Sequence, residues 1–167
     1  YLRGFAKKRL KNYTSAIEDY TNVIELCFDT NFSDAYEIRG NIKYKLNDLI
    51  GAIEDFTKAV EINSKYDYAY RSRGKAKIGL KDYNGAVEDF TKAIEIDSKC
   101  EFSYFGRGNA KLYLKDYTSA IEDYSKAIEI NPNFTNAYHN RGVVKKALND
   151  FAGAVEDNLT YERLINI

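Results

Sequence analysis

Ala86-Val87-Glu88-Asp89-Phe90-Thr91-Lys92-Ala93-Ile94-Glu95-Ile96 is the stretch from which the rest of the chain can be read. Ala86, Phe90, Ala93, Ile94 and Ile96 follow the i, i+3, i+4, i+7 pattern of an amphipathic helix. Its opening, Ala-Ile/Val-Glu-Asp, starts again at Ala16, Ala52, Ala120 and Ala154, giving spacings of 36, 34, 34 and 34. An Arg-Gly pair keeps step at Arg3-Gly4, Arg39-Gly40, Arg73-Gly74, Arg107-Gly108 and Arg141-Gly142. Tyr36, Tyr70, Tyr104 and Tyr138 each precede that pair by three residues, and Leu10, Leu46, Leu80, Leu114 and Leu148 hold the same register. A fixed period of this length is the signature of a repeat architecture.

Each repeat reads as two helices. Ala69, Tyr70, Gly74, Ala76 and Leu80 fall on a helical spacing, Lys81-Asp82-Tyr83 makes a polar turn, and the second helix follows. Gly74, Ala86 and Ala93 are small where neighbouring helix backbones should approach closely. Breaker clusters close the repeats, as at Asp97-Ser98-Lys99 and at Asn131-Pro132-Asn133, which holds the single Pro. The two extra residues of the first spacing fall in such a connection, within residues 27–34, where insertions are tolerated. The chain divides into repeats at 1–32 (short of its opening residues), 33–66, 67–100, 101–134 and 135–167.

The 167 residues carry 25 Lys+Arg against 25 Asp+Glu, and 44% are hydrophobic. Zero net charge argues against a nucleic-acid or membrane-surface binder. No apolar run approaches the roughly 18 residues of a membrane span. Cys27, Cys100 and the single His139 give neither a disulfide scaffold nor metal-ligand spacing, so no metal or cofactor is expected. Phosphate loops, Gly-x-Ser-x-Gly and zinc motifs are missing, which argues against an enzyme. Sequons at Asn12, Asn31, Asn133 and Asn158 have little specificity in so Asn-rich a chain. The opening Tyr-Leu-Arg lacks both a Met and a leader pattern, so the sequence reads as a piece of a longer protein, and the cytoplasm is favoured.

These residues resemble the tetratricopeptide repeat, a helix–turn–helix of 34 residues. Tyr stands where that pattern often has Trp, Arg where Leu usually precedes the Gly, and Lys7, Lys43, Lys77, Lys111 and Lys145 where Tyr is usual. The fifth repeat drifts furthest. Asn158 replaces the aromatic of Tyr20, Phe56, Phe90 and Tyr124, and Tyr161 replaces the small Ala59, Ala93 and Ala127. That drift fits either a capping repeat or a degenerate repeat before others. The resemblance implies an all-α, right-handed solenoid of antiparallel helix pairs whose first helices line a concave groove for peptides or helices.

The even charge hides a separation. First helices with their turn Asp hold 19 Lys+Arg and 8 Asp+Glu, whereas second helices with their connections hold 6 and 17. Repeated Arg and Lys on one helix and repeated Glu-Asp on the other predict an Arg–Asp ladder within each pair, with Arg73 level with Asp89. A feature repeated five times is architecture before it is a site.

Function is left to the positions that vary. The groove-facing set implied by the resemblance begins with Tyr1, Phe5, Lys8 and Arg9, then Asp34, Glu37, Asn41, Tyr44 and Lys45. Tyr68, Arg71, Lys75 and Ile78 follow, and then Phe102, Phe105, Asn109, Leu112 and Tyr113. Asn136, His139, Asn140, Val143 and Lys146 complete it. Its basic residues outnumber Asp34 and Glu37, which favours an acidic, C-terminal-carboxylate or aromatic-containing ligand. Phe102 and Phe105, one turn apart, with Arg71 and Lys75 on the neighbouring first helix, make the richest group, although both rings could instead bury between helices. The two-carboxylate clamp of chaperone-tail binders is not reproduced. Its places read Tyr1, Phe5, Ile38, Tyr68 and Ser72 from the first repeat, and Glu37, Asn41, Ser72, Phe102 and Gly106 from the second. From the third they read Arg71, Lys75, Gly106, Asn136 and Asn140. The reading is a protein- or peptide-binding array. Its alternatives are a scaffold stacked end to end, or the targeting arm of a larger enzyme.

Overall fold

The computed structural model describes residues 13–26 and 32–166. Among them lie nine helices and no strand. They are α1 (Tyr13–Leu26), α2 (Ser33–Lys45), α3 (Leu49–Ile62), α4 (Asp67–Gly79), α5 (Tyr83–Ile96), α6 (Glu101–Tyr113), α7 (Tyr117–Ile130), α8 (Thr135–Ala147) and α9 (Phe151–Ile165). The even-numbered helices are the first helices of repeats two to five, and the odd-numbered ones are second helices. Tyr1, Arg3, Phe5, Lys8 and Arg9 lie outside the described residues.

The turn inside each repeat is set by two adjacent residues. After α2, Asn47 takes a left-handed φ of 63°, and Lys115 after α6 and Asn149 after α8 do the same at 62° and 63°. This bend lets the Asp48 N–H donate back to the Lys43 carbonyl and the Asn47 N–H to that of Tyr44. That closes α2 in the six-to-one, five-to-two manner of a Schellman end. Asp48 then starts α3, its carboxylate accepting from the Gly51 N–H at 3.0 Å. Asp82, Asp116 and Asp150 cap α5, α7 and α9 likewise. One aspartate both ends the reversal and begins the next helix, so the hairpin admits no extra residue.

The chain forms two compact halves, Tyr1–Lys81 and Asp82–Ile167. In the first half Ala16, Tyr20, Ala35 and Ile42 form one core cluster, and Ala52, Phe56 and Ala76 another. In the second, Ala120, Tyr124 and Val144 are fully buried, with Phe105 and Leu112 against them. The glycine of the Arg-Gly pair explains how aromatic second-helix residues fit. A Cβ at Gly40 would lie 2.8 Å from the Phe56 ring, and one at Gly108 the same distance from Tyr124. In the fifth repeat the nearest group to such a Cβ at Gly142 is the Asn158 amide oxygen, at 3.2 Å. The drifted repeat is the looser one.

The Arg–Asp ladder is present and bidentate. Arg39 donates from Nε and Nη2 to the two oxygens of Asp55 at 2.9 and 2.6 Å. Arg107 binds Asp123 at 3.0 and 2.7 Å, and Arg141 binds Asp157 at 2.9 and 2.6 Å. Lys43, Lys111 and Lys145, one turn on, reach the same three carboxylates at 3.0, 2.8 and 2.9 Å. Those aspartates are only 2–3% exposed, so two cations and shared hydrogen bonds offset their desolvation. Burial alone would weaken the charged form of Arg39, but the hydrogen bond and charge of Asp55 prevail and its pKa is raised.

Each arginine also reaches the preceding repeat. The third guanidinium nitrogen donates to Thr21 from Arg39, Thr57 from Arg73, Thr91 from Arg107 and Ser125 from Arg141, at 2.9–3.2 Å. The ring three residues earlier, Tyr36, Tyr70, Tyr104 or Tyr138, lies under the same guanidinium at 5.5–5.7 Å. Spacing suggested the Asp partner only. The hydroxyl and the ring are what the structure adds.

Three stability outcomes follow. Arg107→Ala and Asp123→Asn should each destabilise by about 3 kcal/mol, and the double variant by clearly less than their sum. Urea titrations that found the two losses additive would remove the ladder as a support. Ser103 Oγ is fully buried with no hydrogen-bond partner among the described residues, where the other repeats have Ala35, Ala69 and Ala137. Ser103→Ala should therefore raise stability by about 1 kcal/mol, and a lower urea midpoint would contradict the orphaned hydroxyl. Lys115 sits in the left-handed region that glycine adopts without steric cost, so Lys115→Gly should add about 0.5–1 kcal/mol. Thermal melts that place it below the parent would show that the turn is held by more than φ.

Candidate functional site

In the first half the expected binding residues lie on α2 and α4. Tyr44 on α2 and Tyr68 on α4 are exposed, as is Lys75 further along α4. Arg71 is held twice within its own helix. Its Nη2 pairs with Asp67 at 3.0 Å, and its guanidinium lies 5.0 Å over the Tyr68 ring. Asp67 was not in the groove set, so the cationic character expected of Arg71 is already partly answered. Glu37 is buried and accepts a hydrogen bond from Asn41, one turn along α2. Lys45 lies 6.0 Å over the Tyr13 ring.

In the second half they lie on α6 and α8. Phe102 is 47% exposed and meets the edge of Phe134 with centroids 5.3 Å apart. Phe105 turns inward, 4.9 Å from Phe134 and 5.8 Å from Tyr124, and packs on the core. The two rings therefore play different parts: Phe105 supports, and Phe102 is presented. Tyr113 is 56% exposed and stacked on Tyr83, with centroids 4.8 Å apart and planes 15° apart. His139 is exposed, its ring 5.2 Å from that of Tyr161. Asn136, Val143 and Lys146 are exposed on α8.

Two amides of this half are oriented by a buried phenol. Asn109 Oδ1 accepts from Tyr124 Oη at 2.8 Å and from Asn140 Nδ2 at 2.8 Å. Burial of Tyr124 pushes its pKa well above the usual tyrosine range, so it remains a neutral donor. With its oxygen occupied, Asn109 offers its NH2 group, while Asn140 keeps its oxygen. A donor and an acceptor on adjacent first helices suit a peptide backbone, which carries both.

Sequence reasoning missed the supports of these residues. Phe134 precedes α8 as Phe32 precedes α2 and Tyr66 precedes α4, with Cys100 in that place before α6, so a ring recurring before three of the four described first helices was the available signal. Arg71 and Lys75 belong to one half, and Phe102 and Phe105 to the other. Among the described residues no group of three His, Cys, Asp or Glu could hold a metal, and no helix is long and apolar enough to cross a membrane.

Comparison with known proteins bears on the fold and the family. No curated protein matches the chain. Among solved structures, a crystal structure of MamA superimposes with a TM-score of 0.91 at 23% identity, covering 98% of this chain and 94% of that one. YrrB, described as a tetratricopeptide protein with an unusual peptide-binding site, gives 0.81 at 18% identity over 96% and 82%. The first such domain of Spaghetti (RPAP3), bound to the HSP90 peptide SRMEEVD, gives 0.69 at 24% identity over 70% and 92%. At these identities the likeness establishes the all-α solenoid fold of antiparallel helix pairs. Two sequence patterns, both of the tetratricopeptide repeat, match: one over residues 1–30, 33–66 and 68–100, the other over 102–134. With more than half of its residues matched and the paired helices in place, the chain belongs to the tetratricopeptide repeat family.

Proposed function

We propose that first-helix side chains of this array hold an extended peptide or a protein segment. The coarser statement, a protein-interaction module of a family generally without catalysis, follows from membership. The observation that carries the finer one is the surface of α6 and α8. There exposed Phe102 and Tyr113 stand with an amide pair whose orientation a buried tyrosine fixes. Aromatic anchors braced from beneath lose little side-chain entropy on binding, and backbone-directed amides add register without demanding one sequence. That YrrB and Spaghetti are described with peptide sites supports the reading by analogy.

An immobilised library of random twelve-residue peptides tests this directly. The chain should retain a subset enriched in aromatic and acidic residues. Phe102→Ala and Tyr113→Ala should each weaken retention about tenfold, a loss of about 1.4 kcal/mol. Retention that both substitutions leave unchanged would remove this surface from binding. Failure to retain any peptide would remove the reading altogether.

A further inference from the structure

Three departures from the period meet at one place in the second half. The register positions of Asn109 and Asn140 hold Asn41 and Ser72 two repeats back, and Lys75 and Gly106 one repeat back. The second-helix ring that is Phe56 and Phe90 in those repeats is Tyr124 here. Tyr20 also carries a hydroxyl, but its register partners are Phe5 and Ile38. Two asparagines and a phenol therefore coincide once, in a frame that builds its other repeats without the combination.

The phenol fixes the polarity of the amides. Tyr124 is fully buried, and burial pushes its pKa well above the usual tyrosine range, so its hydrogen stays on. That hydrogen goes to Asn109 Oδ1 at 2.8 Å, and Asn140 Nδ2 donates to the same oxygen at 2.8 Å. Turning Asn109 over would set its NH2 against the phenol and deprive a buried donor of its acceptor. Asn41 gives the contrast. In its repeat the ring is Phe56, without a hydroxyl, and the Asn41 amide donates instead to Glu37 of its own helix. The atoms left over in the second half are Asn109 Nδ2, a donor, and Asn140 Oδ1, an acceptor. Both stay open to solvent on half-buried side chains.

Within the peptide-binding reading, on which this rests, we infer that the Asn109–Asn140 pair receives a neutral amide of the bound segment and turns away a carboxylate. An amide carbonyl accepts from Asn109 while an amide N–H donates to Asn140, so both leftover atoms are satisfied. A carboxylate only accepts. It can take the Asn109 hydrogen, but its second oxygen then faces Asn140 Oδ1, which loses water without gaining a donor. The amide comes from the backbone of an extended residue, whose N–H and C=O point to one side, or from an Asn or Gln side chain. A chain-terminal carboxylate, favoured by the basic excess of the sequence, does not fit at this point. Acids elsewhere in the ligand are a separate matter: Lys146 stands six residues beyond Asn140, about 9 Å along α8. Tyr124 touches no ligand and acts as the positioning residue.

Random twelve-residue peptides, acetylated and amidated so that neither end is charged, are the probes for the 167-residue chain. Each retained peptide is remade in three ways. One backbone nitrogen is methylated at a time, each amide side chain is changed to its acid, and the peptide is cut after each residue to end in either a carboxamide or a carboxylate. At one position the amide form should bind at least tenfold more tightly than the acid. Loss on methylation there marks a backbone source, and loss on changing the side chain marks Asn or Gln. Asn140→Lys, which presents only donors, should reverse the preference. Tyr124→Phe supplies the ring of Phe56 and Phe90 but frees Asn109 to turn, and should narrow the preference to within threefold at unchanged circular dichroism. A parent that prefers the acid, or an amide preference that survives Asn140→Lys, would overturn the proposal, and one unchanged in Tyr124→Phe would remove the phenol from it. If Phe102→Ala weakens retention while no position distinguishes amide from acid, the amide site is wrong and the peptide-binding surface stands. If no peptide is retained, both are wrong.

Discussion

In repeats two, four and five one guanidinium does three things, and the register of the paired helices depends on it. Arg107 spends two nitrogens on Asp123 of its own second helix and the third on Thr91 of the repeat before, while Tyr104 lies beneath its plane. A lysine could supply the charge but not this planar, three-way geometry. Because the aspartate is almost entirely buried, the contact has a steep failure cost. Losing the arginine leaves a desolvated carboxylate with only Lys111 to answer it. Hydrophobic packing supplies the larger share of stability, but packing between Ala, Phe and Tyr surfaces tolerates sliding. A bidentate pair does not. The polar contact therefore fixes which turn of one helix lies beside which turn of the next.

Register of that kind requires equal lengths everywhere, and the turn enforces them. A left-handed residue followed by a capping aspartate joins each described pair, from Asn47-Asp48 to Asn149-Asp150. With sixteen residues from the ladder arginine to its aspartate in every repeat, an insertion inside a hairpin would move a cation off its anion. An insertion in the connection between repeats moves nothing inside a pair. That is where the chain carries its two additional residues, and Arg39 still reaches Thr21 across them at 2.9 Å.

The fold was legible in the sequence because a solenoid writes the same instruction five times. Helix pairs, turn positions, close-packed glycines and the Arg–Asp register all recur at a fixed interval, so noise at one repeat is corrected by the others. What was not legible is which residues of different repeats, or of a helix and its neighbouring connection, meet in space. The hydroxyl that receives each arginine, from Thr21, Thr57, Thr91 or Ser125, lies eighteen residues back for Arg39 and sixteen for the others. The ring beneath Phe102 and Phe105 comes from Phe134, in the connection before the next first helix, α8. Asp67 pairs with Arg71 only because Asp occupies a position that is Ser33, Glu101 and Thr135 elsewhere. Glu37 was placed with the groove by register, yet lies buried and accepting from Asn41, because neutral and charged residues at one register position find different neighbours.

Contrast between constant and variable positions carries the functional argument further than any single residue. Arg, Lys, Gly and Asp recur unchanged, and in repeats two, four and five the Arg, Lys and Asp complete the same local geometry. One turn along the same first helices the chemistry changes freely: Asp34, Tyr68, Phe102 and Asn136 share one register position, and Glu37, Arg71, Phe105 and His139 share another. Stability cannot require an acid, a base, a ring and an imidazole at one geometric place. The frame is therefore indifferent to these side chains where they face outward, as Tyr68, Phe102, Asn136 and His139 do. The overall charge of zero follows from the same division. Most of the first-helix cations recur with the ladder and its lysines, and in repeats two, four and five these share the buried aspartates of the second helices. Only the irregular remainder can give the proposed binding surface a charge of its own, so partner preference would be written in the departures from the period.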